Sequence, residues 1–261
     1  MAAFTDQPIF QLNASGRTPL SGLITFSTDA PARIRLTLVD GAQSVDLPVN
    51  TATAQDHAYP VLGLKASRSY ELHIAIKDGE AHTLTFETNP LPDDLPRIQV
   101  QAQAPDRMEL GVTIFGLRKS ARYGAKDYGY IIAVDHIGDI VWMYRTGHTF
   151  GDILRLKNEN LLYLSFDNRA IEIDMLGNTL TTWIASRRLE PDQIPDGAIP
   201  VDTDTFHHEF TELPGGNNAV ISTEMRQIDD FPTSETDPDA PREMAKVVDQ
   251  NQHWHSWRHC Q

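Results

Sequence analysis

Cysteine is almost absent from this sequence, since Cys260 is the one cysteine among 261 residues. A single thiol allows neither an internal disulfide nor a cage of thiolate ligands around a metal ion. Cysteine usage therefore indicates neither an oxidising nor a reducing compartment.

Long apolar runs are missing as well. No stretch approaches the roughly 20 apolar residues of a membrane-spanning helix, so we expect no membrane partner. The first eight residues contain neither a basic cluster nor an apolar core, and the chain as given carries no secretory signal. On its face this predicts a cytoplasmic protein, unless a leader is missing from the sequence, so localisation stays open.

Basic residues are scarce relative to acidic ones. The 36 Asp and Glu residues outnumber 22 Lys and Arg residues and give a formal net charge of −14. Such a surface repels phosphate backbones, so nucleic acid is not an expected partner. The remaining composition, with 40% hydrophobic residues, is typical of one or two globular domains.

Period-two alternation dominates residues 9–88, for example at 34–38 and 70–76. Several such runs, each bounded by turn residues, predict an all-β antiparallel sandwich. The segment from Leu64 to Tyr70 is similar to the corner of fibronectin type III domains, where a leucine and a tyrosine bracket a crossing between sheets. The charged turn at 77–80 predicts a hairpin.

A proline-rich stretch at 89–96 marks the domain boundary, and we assign residues 1–92 to the sandwich.

An internal repeat follows the proline-rich stretch. Residues 133–139 align with 172–178, with Asp135 on Asp174 and a glycine on a glycine, 39 positions apart. We expect both aspartates to brace turns and not to bind calcium. A second pair, 156–165 and 213–222, aligns 57 positions apart.

Repeats of about 40 residues built from short strands are typical of β-propeller blades. The 164 residues from Ile98 onward have room for about three blades, whereas propellers need about four to eight. We therefore predict a partial propeller at 98–248, a chain that is truncated or shifted in frame near Val248, and an irregular tail at 249–261. His253, His255 and His259 in that tail have a spacing that could bind zinc or nickel, but we expect an accidental tail, no metal and no cofactor.

The adjacent pair His207 and His208 is the most informative local feature. Neighbours on a strand face opposite sides, so only one of the two can point into a given cavity. If Phe206 packs inward, His208 and Phe210 should share its face. Periodicity alone is equally consistent with two ordinary polar residues at a strand start.

The chain resembles the aryl-sulfate sulfotransferase family in three features: residues 206–217, the two Asp-x-x-Gly repeats, each followed by a tryptophan (Trp142 and Trp183), and the N-terminal β-sandwich. The resemblance implies a sandwich joined to a six-bladed propeller, and transfer of a sulfuryl group between phenols without an adenylylated cofactor. Small phenols and aryl sulfates are the implied partners, and family members are often periplasmic. The second histidine of the family's pair is the active-site member, which implies a catalytic role for His208 and a neighbouring, structural one for His207.

The same resemblance implies that further active-site histidines, including the transient sulfo-histidine, and an arginine belong to later blades. We find none of them here and expect this chain alone to be inactive, with His208 as an oxyanion stabiliser or proton donor.

Two alternatives stay open, a non-catalytic propeller used as a binding or sensor module and a quinone-dependent propeller enzyme. A homo-oligomer is also left open. Four residues are candidates for the channel lining without support from a motif: Tyr123, Tyr128, His148 and Arg169.

Overall fold

The computed structural model describes residues 2–100, 104, 107–109, 111–119, 128–214, 217–233, 236–237 and 239–258. Almost all of its regular structure is β-strand, with a short 3-10 helix at Pro191–Gln193. In these ranges no helix has the length and apolar character needed to cross a membrane. The chain divides into unit 1, Met1–His148 with Met175–Asn178, and unit 2, Thr149–Asp174 with Thr179–Gln261. The all-β prediction is confirmed.

Unit 1 begins with two antiparallel sheets. Their strands are β1 (Ile9–Leu12), β2 (Gly22–Ala32), β3 (Ile34–Asp40), β4 (Gln43–Leu47), β5 (Ala54–Val61), β6 (Ser69–Ile76) and β7 (Ala81–Glu87). The first sheet has the order β1-β2-β5, and the second has the order β4-β3-β6-β7. Every second residue of β6 is buried, and Ile24, Leu36 and Leu72 from both sheets belong to one core. The two sheets therefore pack as the expected sandwich.

The crossing from β5 to β6 is the predicted tyrosine corner. Leu64 and Tyr70 are both buried, and the Tyr70 hydroxyl accepts a hydrogen bond of 2.8 Å from the backbone N–H of Lys65. Burial raises the pKa of Tyr70. The hydroxyl thus satisfies a backbone donor at the point where the chain leaves one sheet for the other.

The hairpin predicted at 77–80 is present between β6 and β7. The Gly79 N–H donates to the carbonyl of Ile76 at 3.0 Å, and Asp78 has a φ of +58°. Aspartate tolerates this left-handed conformation better than most residues, so the turn is formed by local chemistry.

A third sheet of unit 1 contains β8 (Thr113–Lys119), β9 (Tyr128–Val134) and β10 (Ile140–Arg145), with β9 in the middle. In the turn after β9, one carboxylate oxygen of Asp135 accepts from the N–H groups of Ile137 at 3.1 Å and Asp139 at 2.9 Å. The predicted turn-bracing role of Asp135 is confirmed.

The sandwich contacts the turns of both repeats inside unit 1. The Lys65 ammonium lies 2.9 Å from Asp135 and 2.7 Å from Asp139, and the Thr18 hydroxyl donates to the carbonyl of Leu176 at 2.7 Å. Although burial disfavours the charged ammonium, hydrogen bonds to Asp139 and Asp135 raise the pKa of Lys65. A Cβ at Gly177 would come within 2.7 Å of the Ser15 and Thr18 side chains, so glycine is required for this approach.

Unit 2 contains two sheets that share one core. The larger has the order β11-β12-β13-β14-β15, and the smaller β16-β17-β18. Their strands are β11 (Phe150–Arg155), β12 (Leu161–Ser165), β13 (Arg169–Ile173), β14 (Thr179–Ala185), β15 (Ile199–Val201), β16 (His207–Glu212), β17 (Asn217–Pro232) and β18 (Arg242–Arg258). Leu162 and Trp183 from one sheet pack in the same cluster as Phe210 and Val220 from the other.

The second predicted repeat has matching turns. The Leu156 N–H donates to the carbonyl of Asn160 at 2.9 Å, and the Leu213 N–H donates to that of Asn217 at 2.7 Å. Equivalent residues 57 positions apart thus close equivalent turns. The repeat deduced from sequence is therefore also a structural repeat.

The C-terminal segment differs from expectation. Residues 249–258, expected to be part of an irregular tail, belong to β18 and pair antiparallel with β17. Strand pairing uses backbone donors and acceptors, so it needs no alternating side-chain pattern. His259 and the residues after it lie outside the described residues.

A buried histidine lies in the sandwich core. The His57 side chain stacks on Phe26 with ring centroids 4.8 Å apart, and its ring nitrogens lie 3.0 Å from the Tyr59 hydroxyl and 3.4 Å from the Thr28 hydroxyl. Burial lowers the pKa of His57 below its ordinary value. The folded sandwich therefore prefers the neutral imidazole.

The tyrosine corner gives a prediction for stability. Tyr70→Phe removes the acceptor of the Lys65 N–H and should lower the free energy of unfolding by about 1–3 kcal/mol, because a partly buried donor loses its partner. Tyr70→Ala, which also removes the ring, should cost about 3–5 kcal/mol. Urea denaturation checks both. If Tyr70→Phe were as stable as the wild type, the Tyr70 hydroxyl would not stabilise the corner.

His57 gives a prediction for pH dependence. Its folded pKa is lowered, so below about pH 6.5 the unfolded chain binds a proton that the folded chain refuses, and stability falls as the pH falls. His57→Gln removes this contribution, so its stability should decline less between about pH 7 and 5. Urea midpoints across this range provide the measurement, with exposed His73→Gln as control. Parallel curves for wild type and His57→Gln would contradict the prediction.

Candidate functional site

The histidine pair lies in a bulge at the start of β16. His207 pairs with Ile221, and the next paired residue, Phe210, is opposite Val220. His208 and Glu209 are therefore two extra residues without partners in the ladder, and both are exposed. We call residues 207–209 the histidine bulge. His208 has a φ of +59°, in the left-handed region.

This geometry corrects the expected orientation of His208. Strand alternation places Phe206, His208 and Phe210 on one face, but Phe206 and Phe210 are buried whereas His208 is exposed. The alternation argument is wrong here because the ladder skips two residues between His207 and Phe210. The catalytic role of His208 stays a prediction.

The two imidazoles of the bulge touch. Their ring centroids lie 4.0 Å apart and their planes meet at 87°, an edge-to-face contact. Burial first, and then the charge of His208, lower the pKa of His207. A neutral His207 can donate one hydrogen bond and accept another, and the neighbouring His208 is exposed.

Four hydroxyls join the chain before the bulge to β17. The Thr203 hydroxyl donates to Ser222 Oγ at 2.7 Å, and the Thr205 and Thr223 hydroxyls lie 2.9 Å apart. Thr203 and Ser222 are buried. We call these four residues the hydroxyl cluster.

A buried carboxylate fixes the same segment. The Asp204 side chain is 6% exposed and lies 2.8 Å from Arg188 and 3.7 Å from Arg187. Arg187 also donates a hydrogen bond to the Asp202 carboxylate at 2.9 Å. A buried charge requires such partners, so this ion pair ties the chain before β16 to the segment after β14.

Neither the hydroxyl cluster nor Asp204 was identified from the sequence. The available signal was the polar run at 203–205. Small polar residues of this kind are equally common in loops, so the run alone does not indicate a packed network.

The other candidate residues belong to other elements than the histidine bulge. Arg169 begins β13 and forms an ion pair with Asp167. Burial opposes ionisation of that aspartate, but hydrogen bonds, first from Arg169, hold its pKa below the ordinary range. His148 follows β10, and its carbonyl accepts from the Thr146 hydroxyl at 2.6 Å.

The remaining candidates are less well defined. Tyr128 begins β9, and Tyr123 lies outside the described residues. His253 and His255 are in β18, opposite Ser222 and Val220. Within the described part of the chain, no group of three or more His, Cys, Asp or Glu side chains is arranged to hold a metal ion.

Comparison with known protein families assigns the larger part of the chain. Residues 97–256 match the family described as Arylsulfotransferase (ASST), and this match covers more than half of the sequence. The chain belongs to the arylsulfotransferase family. Residues 9–90 match the arylsulfotransferase Ig-like domain, so both regions of the family are recognised, and the resemblance noted from sequence is confirmed. Comparison with curated proteins finds no match.

The arylsulfotransferase match includes the histidine bulge, the hydroxyl cluster and Asp204. The two matches are separated by residues 91–96, which form most of the proline-rich stretch. The domain boundaries at 92 and 98 stay predictions.

The backbone of the bulge can be tested by a pair of variants. At a left-handed φ a Cβ costs about 1–2 kcal/mol, so His208→Gly should be more stable than His208→Ala by about 1 kcal/mol. In an ordinary strand the order reverses, because glycine weakens a strand. Thermal or urea denaturation of both variants distinguishes the two cases, and a more stable alanine variant would rule out the left-handed bulge.

Proposed function

We propose that this chain carries part of the site of an aryl-sulfate sulfotransferase. The reaction moves a sulfuryl group from a phenolic sulfate ester to a phenol without an adenylylated cofactor. Membership of the arylsulfotransferase family supports this proposal. We further propose that the sheets at 113–145, 150–201 and 207–258 are opening blades of a six-bladed propeller. The predicted truncation stays a prediction.

The net reaction defines what the site must do. The bond between sulfur and the donor oxygen breaks, and a bond between sulfur and the acceptor oxygen forms. The acceptor phenol loses its proton, and the donor leaves as a phenol that has gained one. Negative charge therefore develops on the leaving oxygen while the sulfuryl oxygens stay anionic. Hydrogen-bond donors that converge on these oxygens stabilise the transition state.

The exposed His208 in its bulge is the observation that carries the proposal. An imidazole can donate a hydrogen bond to a sulfuryl oxygen or a proton to the leaving phenolate. Both functions require a ring that a ligand can reach. A regular β16 would place His208 on the buried face with Phe206 and Phe210, whereas the bulge turns it outward.

His207 supports His208 without the same role. His207 lies edge-to-face against His208, and its lowered pKa keeps it neutral near pH 7. A neutral neighbour adds no positive charge beside His208. We propose His207 as the structural partner and His208 as the residue that contacts substrate.

The test is turnover of a chromogenic aryl sulfate with a phenol acceptor in a family member that carries the same Phe-His-His-Glu-Phe segment and further blades. His208→Asn should lower kcat by about 100-fold or more, the scale for removing one preorganised charge-stabilising group. Asparagine tolerates a left-handed φ, so this variant should keep the bulge intact.

In the same family member, the variant equivalent to His207→Asn should lower kcat less, and it is the matched control. An unchanged rate for His208→Asn would contradict the catalytic role. Binding of aryl sulfates without any turnover by the wild type would support the alternative, a non-catalytic binding or sensor module.

A further inference from the structure

We propose that the hydroxyl cluster, Thr203, Thr205, Ser222 and Thr223, positions His208. Its hydrogen bonds determine where β16 joins β17 and thereby hold the histidine bulge in shape. The importance of this for catalysis rests on the function proposed for His208, although the positioning itself is a property of the fold.

The first step concerns the backbone immediately before β16. The Thr205 N–H donates to Ser222 Oγ at 3.2 Å, and the Thr223 N–H donates to Thr205 Oγ1 at 3.0 Å. In a regular antiparallel ladder such N–H groups donate to carbonyl oxygens of the facing strand. Here hydroxyls accept them instead, so side chains set the spacing of the two strands at this point.

The second step concerns how firmly the cluster is held. Ser222 is 1% exposed and Thr203 is 0% exposed, and the two are joined by a hydrogen bond of 2.7 Å. Buried hydroxyls keep their partners because water cannot replace them. Between the two threonines, the ion pair of Asp204 with Arg188 holds the same backbone from the other side.

The third step concerns the far end of the bulge. Phe210 is buried and opposite Val220, where the ladder resumes. The chain therefore runs from one fixed point at Thr205 to another at Phe210 and must accommodate two extra residues between them. This closure accounts for the left-handed φ of His208 and its contact with His207.

The test measures the position of the His208 ring directly. In the full chain with isotope-labelled histidine, rings 4.0 Å apart should give a nuclear Overhauser cross-peak between His207 and His208. Thr205→Val, which keeps the shape and removes the hydroxyl, should lose this cross-peak. Thr205→Ser, which restores the hydroxyl, should retain it.

Thr233→Val is the matched control, because it removes a hydroxyl bonded to the carbonyl of Pro241 in the connection between β17 and β18. It should leave the cross-peak unchanged. If Thr205→Val does not fold, Thr223→Val removes only the bond between the two threonine hydroxyls and should still weaken the cross-peak. If folded Thr205→Val or folded Thr223→Val kept a cross-peak as strong as that of the wild type, the inference would be wrong.

This outcome is independent of the turnover assay. If the ring contact depends on Thr205 while His208→Asn keeps full turnover, the positioning stands and the proposed catalytic role fails. If His208→Asn abolishes turnover while the ring contact survives loss of the hydroxyl, the catalytic role stands and this inference fails.

Discussion

The site depends on an even number of extra residues in β16. Phe206 and Phe210 must both reach the core that Trp183 and Val220 help to form. A regular strand satisfies this requirement, but it also directs His208 into the same apolar face, where an imidazole would lose its contact with water. Two extra residues preserve the inward orientation of both phenylalanines and release His208 to the surface.

Fixed points on both sides of the bulge, polar before it and apolar after it, stabilise this irregular geometry. A left-handed histidine is unfavourable by itself, so the surrounding structure must impose it. The hydroxyl cluster and Asp204 fix the chain before the bulge, and Phe210 fixes it afterwards. Unit 1 uses the same physical principle, since Lys65 and Thr18 bond to the turns of two successive repeats and the Tyr70 hydroxyl closes the corner between sheets.

Local patterns in the sequence predicted what local chemistry determines. Alternation in residues 70–76 predicted β6, Asp135 predicted a braced turn, and Leu64 with Tyr70 predicted the corner. The bulge escaped prediction because a regular strand and a two-residue bulge bury the same phenylalanines, so their spacing cannot distinguish the two. The hydroxyl cluster joins residues about 18 positions apart, and only the folded register of β17 brings them together.

The central claim is that the exposed His208 is the ring that meets an aryl sulfate. Histidine ring resonances of the full chain, followed by nuclear magnetic resonance during titration with 4-nitrophenyl sulfate, test it directly and need no turnover. We predict a saturable shift of His208, a smaller one of His207, and none of the buried His57 in the sandwich. A saturable shift at other histidines with His208 unchanged, or no saturable shift at all, would contradict the account.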